Sequence, residues 1–158
     1  MGVMVSALIA AAAAPATANG RFPATRDVLL GGEGESVLVV PTTFGLLLSV
    51  NGGGTMRWVC EEALGYQGTY DPSYAIGNDG SLWLTTFDGI RVSRDDGCTW
   101  TAVGAPFDAL FPGHLVADAD GRLWAVSAQA GSMNGVYRND SPGVSTTFTR
   151  LNLTLSLI

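Results

Sequence analysis

Charge is scarce in this chain. Only 14 % of its 158 residues are Asp, Glu, Lys or Arg, against 47 % hydrophobic ones, so the composition excludes a disordered chain. Eight Lys plus Arg face fourteen Asp plus Glu, with no lysine-rich run, and the formal net charge is −6. An acidic surface repels polyphosphate, so nucleic acid is not an expected partner. One histidine, His114, and two cysteines, Cys60 and Cys98, are too few for a His/Cys zinc site, and no metal or cofactor is expected. Glycine, in contrast, is plentiful: 21 residues, which suits many short strands joined by tight turns.

The longest apolar run, residues 3–14 (VMVSALIAAAAA), falls short of the ~20 residues of a transmembrane helix. Pro15 breaks it, and Ala16-Thr17-Ala18 supplies the small-x-small pattern of a signal peptidase site before Asn19. A basic n-region is missing, and a buried N-terminal helix is the alternative. No cysteine follows the run, so a lipoprotein anchor is not indicated. Residues 1–18 read as a secretory signal, which leaves no stable membrane span after cleavage. The expected location is secreted or periplasmic, an oxidising compartment.

The remaining chain repeats. Ser93-Arg94-Asp95-Asp96-Gly97-Cys98-Thr99-Trp100 has a weaker copy 44 residues earlier, with Ser49, Asn51, Gly53 and Thr55 at the matching places. A third copy starts at Asp140, 45 residues after Asp95, and resumes after an insertion at Thr147 and Phe148. A four-stranded propeller blade takes about 40 to 45 residues. The middle unit shows the strands most plainly. Residues 74–76, 81–86, 90–93 and 100–103 are short apolar or alternating runs separated by Asn78-Asp79-Gly80, Phe87-Asp88-Gly89 and the Asp95–Gly97 turn. The third unit repeats the order around Asp120-Gly121, and Leu123-Trp124 copies Leu82-Trp83. Thr42-Thr43-Phe44-Gly45 and Thr85-Thr86-Phe87-Asp88-Gly89 repeat one corner. The expected fold is all-β, with blades at about 26–60, 73–103 and 113–152 and no helical periodicity.

The recurring residue types have a turn chemistry in common. An Asp or Asn side chain accepts hydrogen bonds from backbone N–H groups a few residues on. Glycine supplies a backbone angle other residues resist. The Ser or Thr hydroxyl ties the strand ends, and Trp or Phe covers the turn. Such an aspartate is occupied by backbone groups, so its expected role is structural rather than catalytic.

On these residues the chain resembles the Asp-box, or bacterial neuraminidase repeat, of sialidases and other secreted β-propellers, including those of myxobacteria. The middle copy is a full match; the first has Asn51 for Asp and a tryptophan displaced to Trp58, and the third loses the glycine register. The resemblance spans residues 26–152 and implies fold more than function, because Asp-boxes occur in enzymes and non-enzymes alike. Closed propellers have four to eight blades. Three blades therefore imply either a partial copy or association of copies through open blade edges, two of them making a six-bladed ring. Cys60 and Cys98 fall on neighbouring outer strands, where a disulfide would staple blade to blade and contribute about 4 kcal/mol. Two unpaired small core residues are the alternative.

A sialidase would need an arginine triad, a tyrosine with its glutamate and an acidic proton donor. Arg21-Phe22-Pro23 inverts the order of the family's Phe-Arg-Ile-Pro element, and Arg57, Arg91, Arg94 and Arg138 do not recur at equivalent places. Glu61 and Glu62, if on a strand, face opposite ways. Tyr66, Tyr70 and Asp71 fall in the connector before the second blade, and His114 stands alone. No catalytic residue is assigned. The preferred expectation is a non-enzymatic scaffold for an unidentified protein or carbohydrate. A fragment of a sialidase-type glycoside hydrolase and a propeller-type assembly factor are the alternatives.

Overall fold

Alternating side chains decide how this chain stacks. The computed structural model describes residues 21–153. Within them lie three four-stranded antiparallel sheets, each an up-and-down meander. The first comprises β1 (Leu29–Gly31), β2 (Val37–Thr42), β3 (Gly45–Ser49) and β4 (Arg57–Cys60). The second comprises β5 (Tyr74–Ile76), β6 (Leu82–Thr86), β7 (Gly89–Ser93) and β8 (Thr101–Ala102). The third comprises β9 (Pro112–Ala117), β10 (Leu123–Ser127), β11 (Val136–Asn139) and β12 (Thr149–Arg150). The expected signal segment lies outside the described residues. No helix among those described is long and apolar enough to cross a membrane.

Two cores hold the sheets face to face. Val37, Val39, Leu46 and Leu48 of the first sheet meet Tyr74, Ile76, Leu82 and Leu84 of the second. The opposite face of the second sheet carries Ala75, Trp83, Ile90 and Val92, which meet Leu115, Leu123, Ala125 and Tyr137 of the third. The middle sheet is therefore covered on both sides, and all five residues of β6 are buried. Each large apolar side chain so buried contributes roughly 1.5 to 3 kcal/mol. Arginines add a latch between blades. Arg57 donates to the backbone carbonyl of Asp96, and Arg94 donates to that of Pro142 (2.5 Å) while its guanidinium lies over the Trp83 ring.

Several sequence expectations need correcting. Glu61 and Glu62 do not lie on a strand: they open the one-turn helix α1 (Glu61–Leu64), closed by Gly65 in the left-handed region. The expected Cys60–Cys98 disulfide is not formed, and both cysteines are free. Cys60 pairs with Gly45 at one end of β4, whereas Cys98 lies 3.5 Å from the guanidinium of Arg57, which starts β4.

Candidate functional site

In a meander the hairpins alternate between the two ends of the sheet, so each blade presents one set of turns at either end. At one end, here the turn face, lie the first and third hairpins of each blade. At the other, the loop face, lie the central hairpins and the long connectors between blades.

On the turn face the Ser-x-Asp segments close tightly. Ser93 Oγ donates to Asp95 Oδ1 (2.8 Å) and accepts the Gly97 N–H (2.9 Å). Asp95 also accepts the N–H of Thr99 (2.9 Å) and its hydroxyl (2.5 Å). These Thr99 bonds, followed by that of Ser93, hold the Asp95 carboxyl at about 2. Trp100 follows, half-buried against the first core. In the first blade Ser49, Asn51, Gly53 and Thr55 make the same set. Ser49 Oγ donates to Asn51 Oδ1 (2.9 Å), Gly53 N–H donates to Ser49 (2.9 Å), and Thr55 N–H donates to Asn51 (2.9 Å). An amide thus replaces the carboxylate without changing the loop. In the third blade Asn139, which pairs with Leu123 as Ser93 pairs with Leu82, stands at the serine's place, and Asp140 falls one residue short of the aspartate's. Asn139 accepts the Ser141 N–H (2.9 Å) and donates to the Ser145 carbonyl (2.9 Å). Asp140 pairs instead with Arg138 (2.6 Å). Phe148 is buried, edge-on to Phe107 and Trp83. The serine, aspartate and asparagine side chains are committed to backbone or to one another, while the Trp100 indole N–H has no partner among the described residues and a cleft of about 280 Å³ among Glu33, Asp79, Arg94 and Asp96 also lies on this face.

Two further features of this face escaped sequence reasoning. Asp118 accepts the Trp124 indole N–H (2.7 Å) and Arg122 Nε (2.9 Å), with the indole bond the larger cause of a carboxyl lowered to about 2. In the second blade the equivalent position is Gly77, and Trp83 donates to Ser81 Oγ (2.8 Å) instead. The signal available was the shared Leu-Trp dipeptide with an acid before it.

The loop face is different in kind. Thr42 and Thr86 build the same corner: each hydroxyl donates to the carbonyl of a glycine three residues on, Gly45 (2.9 Å) and Gly89 (3.0 Å). Both glycines have φ near +120°, and an added Cβ would meet a backbone carbonyl oxygen at 2.2 Å. This register aligns Phe87 with Thr43, one place away from the match of Phe44 with Phe87 that the repeated letters suggest. Phe87 projects outward and is 62 % exposed, whereas Thr43 at the same place in the first blade is buried and hydrogen-bonded to the backbone of Phe22 and Ala24. Tyr70 lies against it at 4.6 Å between ring centroids, and Phe111 lies 5.7 Å from it. Tyr66 stands edge-on to Tyr70. These rings come from the corner of the second blade and from the connectors on either side of that blade.

Two clefts flank Phe87. One, of about 350 Å³, is lined by Glu62, Gly65, Tyr66, Gln67, Phe87 and Asp88. The other, of about 230 Å³, shares Phe87 and Asp88 and adds Asp108, Phe111 and Gln129 among others. Beneath them the polar groups are tied down. Arg21 (2.5 Å) and Arg26 (2.7 Å) both pair with Asp71. The hydroxyls of Tyr66 and Tyr74 are 3.3 Å apart, and burial pushes both phenols above their ordinary range. Burial also raises Tyr70. All three phenols therefore remain protonated at neutral pH. His114 is exposed on β9. No group of three or more potential metal ligands occurs among the described residues.

Stacked four-stranded meanders of this kind are blades of a β-propeller. No family model matches the chain, and no curated protein matches it in sequence. Solved structures do match, among them an ancestral GH74 enzyme, a β-propeller glycoside hydrolase. It superposes with a TM-score of 0.56 and 15 % identity over 82 % of this chain, which spans 20 % of that enzyme's length. At that identity the likeness concerns the fold.

Proposed function

We propose that the chain contributes three blades to a secreted propeller of the Asp-box type, which binds a ligand through its loop face and does not transform it. The observation that carries this reading is Phe87: a large aromatic ring held in the open between two clefts by Tyr70 and Phe111. A ring exposed singly needs no explanation, but one buttressed by two others beside concave, polar-rimmed clefts has the make-up of a binding site. The Ser-x-Asp turns at the opposite end support the Asp-box assignment through their bonding, and their role in this reading is to hold the blades.

A glycoside hydrolase is the second reading. It is favoured by the structural likeness to a hydrolase and by Glu61 and Arg21, whose charges act on Tyr66. Against it, Tyr66 is 5 % exposed, and burial, more than any other cause, holds its phenol protonated. A nucleophile must be reachable and activated, and this phenol is neither. Purified chain incubated with fluorogenic sialosides and aryl glycosides should release no more fluorophore than a heat-killed control. Turnover that disappears in Tyr66→Phe would establish the hydrolase instead. Export predicts a mature N-terminus at Asn19 by intact mass, and full-length protein confined to the cytosol contradicts it.

A further inference from the structure

We infer that the ligand of the loop face is an uncharged oligosaccharide of at least two sugar units, seated astride Phe87; this rests on the loop-face reading above. Three observations lead there. The first is shape. Phe87 lines both clefts, so it forms the ridge between them, and each cleft has room for a sugar ring rather than for a folded peptide element. A pyranose presents C–H groups on its faces and hydroxyls around its rim. Its faces lie against an aromatic ring, while its hydroxyls seek acceptors at the periphery.

The second is the rim. Glu62, Gln67 and Asp88 edge the first cleft, and Asp88, Asp108 and Gln129 the second. Carboxylates and carboxamides are the side chains best able to accept from hydroxyl donors, and the amides also donate. Glu62, Asp88 and Asp108 are exposed, so their acceptor oxygens face the clefts without first leaving a buried bond.

The third is charge, which selects among sugars. No arginine lines either cleft. Arg21 and Arg26 share Asp71, and Arg91, whose guanidinium lies against Gly65, is the cation next to the first cleft, so the acidic character is purest in the second, edged by Asp88 and Asp108. An anionic sugar, such as a sialoside or a uronate, would bring its carboxylate against two acidic side chains in either cleft, Glu62 and Asp88 in the first or Asp88 and Asp108 in the second, in a chain already at −6. Like charges at such range are repulsive. A neutral glycan meets no such penalty, so the site discriminates against the ligands of a sialidase.

Isothermal titration of the full chain with cellohexaose, laminarihexaose and hexagalacturonate tests this, with Phe87→Ala and Asp88→Ala beside the parent. Phe87 and Asp88 are exposed, so neither change should unfold the protein, and circular dichroism melts confirm it. The expected result is heat of binding with at least one neutral hexamer, none with hexagalacturonate, and an affinity loss of about tenfold or more in Phe87→Ala, the equivalent of ~1.4 kcal/mol. Binding of hexagalacturonate that Phe87→Ala abolishes would overturn the neutral-sugar assignment while leaving the loop face as the binding surface. Neutral binding that Phe87→Ala leaves unchanged would overturn the site itself. Binding of none of the three by folded protein would overturn the oligosaccharide assignment, whereas the loop-face reading fails only if ligand-induced changes map elsewhere.

Discussion

Leu48 of the first blade packs against Gly97 of the second so closely that a Cβ added to Gly97 would lie 2.8 Å from Leu48 Cδ2. Gly97 also has φ +76°, where side chains other than hydrogen are strained. One glycine therefore closes the Ser-x-Asp turn and lets the neighbouring blade approach. Gly97→Ala should cost about 2 kcal/mol or more, from the left-handed backbone and the displaced leucine together. Chemical denaturation measures it, and an unchanged midpoint would show that the two blades are not packed this way.

The Asp95 carboxyl, held at about 2 by Thr99 and Ser93, lies below the ~3.9 of an unfolded aspartate. Between those values the unfolded chain binds more protons than the folded one, so stability rises with pH through that window. The contribution is complete above roughly pH 4 to 5 and is lost as the pH falls toward 2. Asp118 acts in the same sense, for its own reason, the Trp124 indole bond. Melting temperatures between pH 6 and 2.5 should fall, and Asp95→Asn should fall less. That variant should keep its turn at pH 6, because Asn51 makes equivalent bonds in the first blade. An equal acid loss in parent and variant would contradict the assignment.

Both cysteines should react as free thiols. Cys98 is exposed and should react with a thiol reagent at once, whereas Cys60, partly covered at the end of β4, should react more slowly. A protein with no reactive thiol before reduction would restore the disulfide.

Trp83 has no exposed surface and sits between Arg94 and Phe148 in the second core. Trp83→Ala should cost about 3 to 5 kcal/mol, the usual loss for a large aromatic in a packed interior. A change below 1 kcal/mol would mean the second and third blades do not share that core.

The blades were legible because their signals are local. Asp79-Gly80 and Asp120-Gly121 announce hairpins from adjacent residues, and β3 and β7 end at the serines that open the repeats. What escaped was non-local or depended on register. Leu29–Gly31 forms β1 only because it pairs with Val37–Val39, and its own letters show no alternation. Asn139 takes the serine's place in the third blade although Asp140 is the better letter, since the end of β11 pairs it with Leu123 as Ser93 pairs with Leu82. Tyr66, Tyr70 and Phe111 come from two separate connectors, and nothing in their spacing announces that they gather around Phe87. The repeated Thr-Thr-Phe letters even mislead, because hairpin pairing aligns Thr42 with Thr86 and so puts Phe87 at the place of Thr43, not of Phe44.

The central claim is that ligand meets the loop face and not the Ser-x-Asp turns. The most direct measurement is an amide chemical-shift map of the isotope-labelled chain titrated with the neutral hexamer it binds. Perturbations should cluster at 62–71, 87–89 and 108–111, with residues 49–55 and 93–99 unmoved. Shifts concentrated at Ser93–Thr99, with Phe87 and its neighbours silent, would contradict the account.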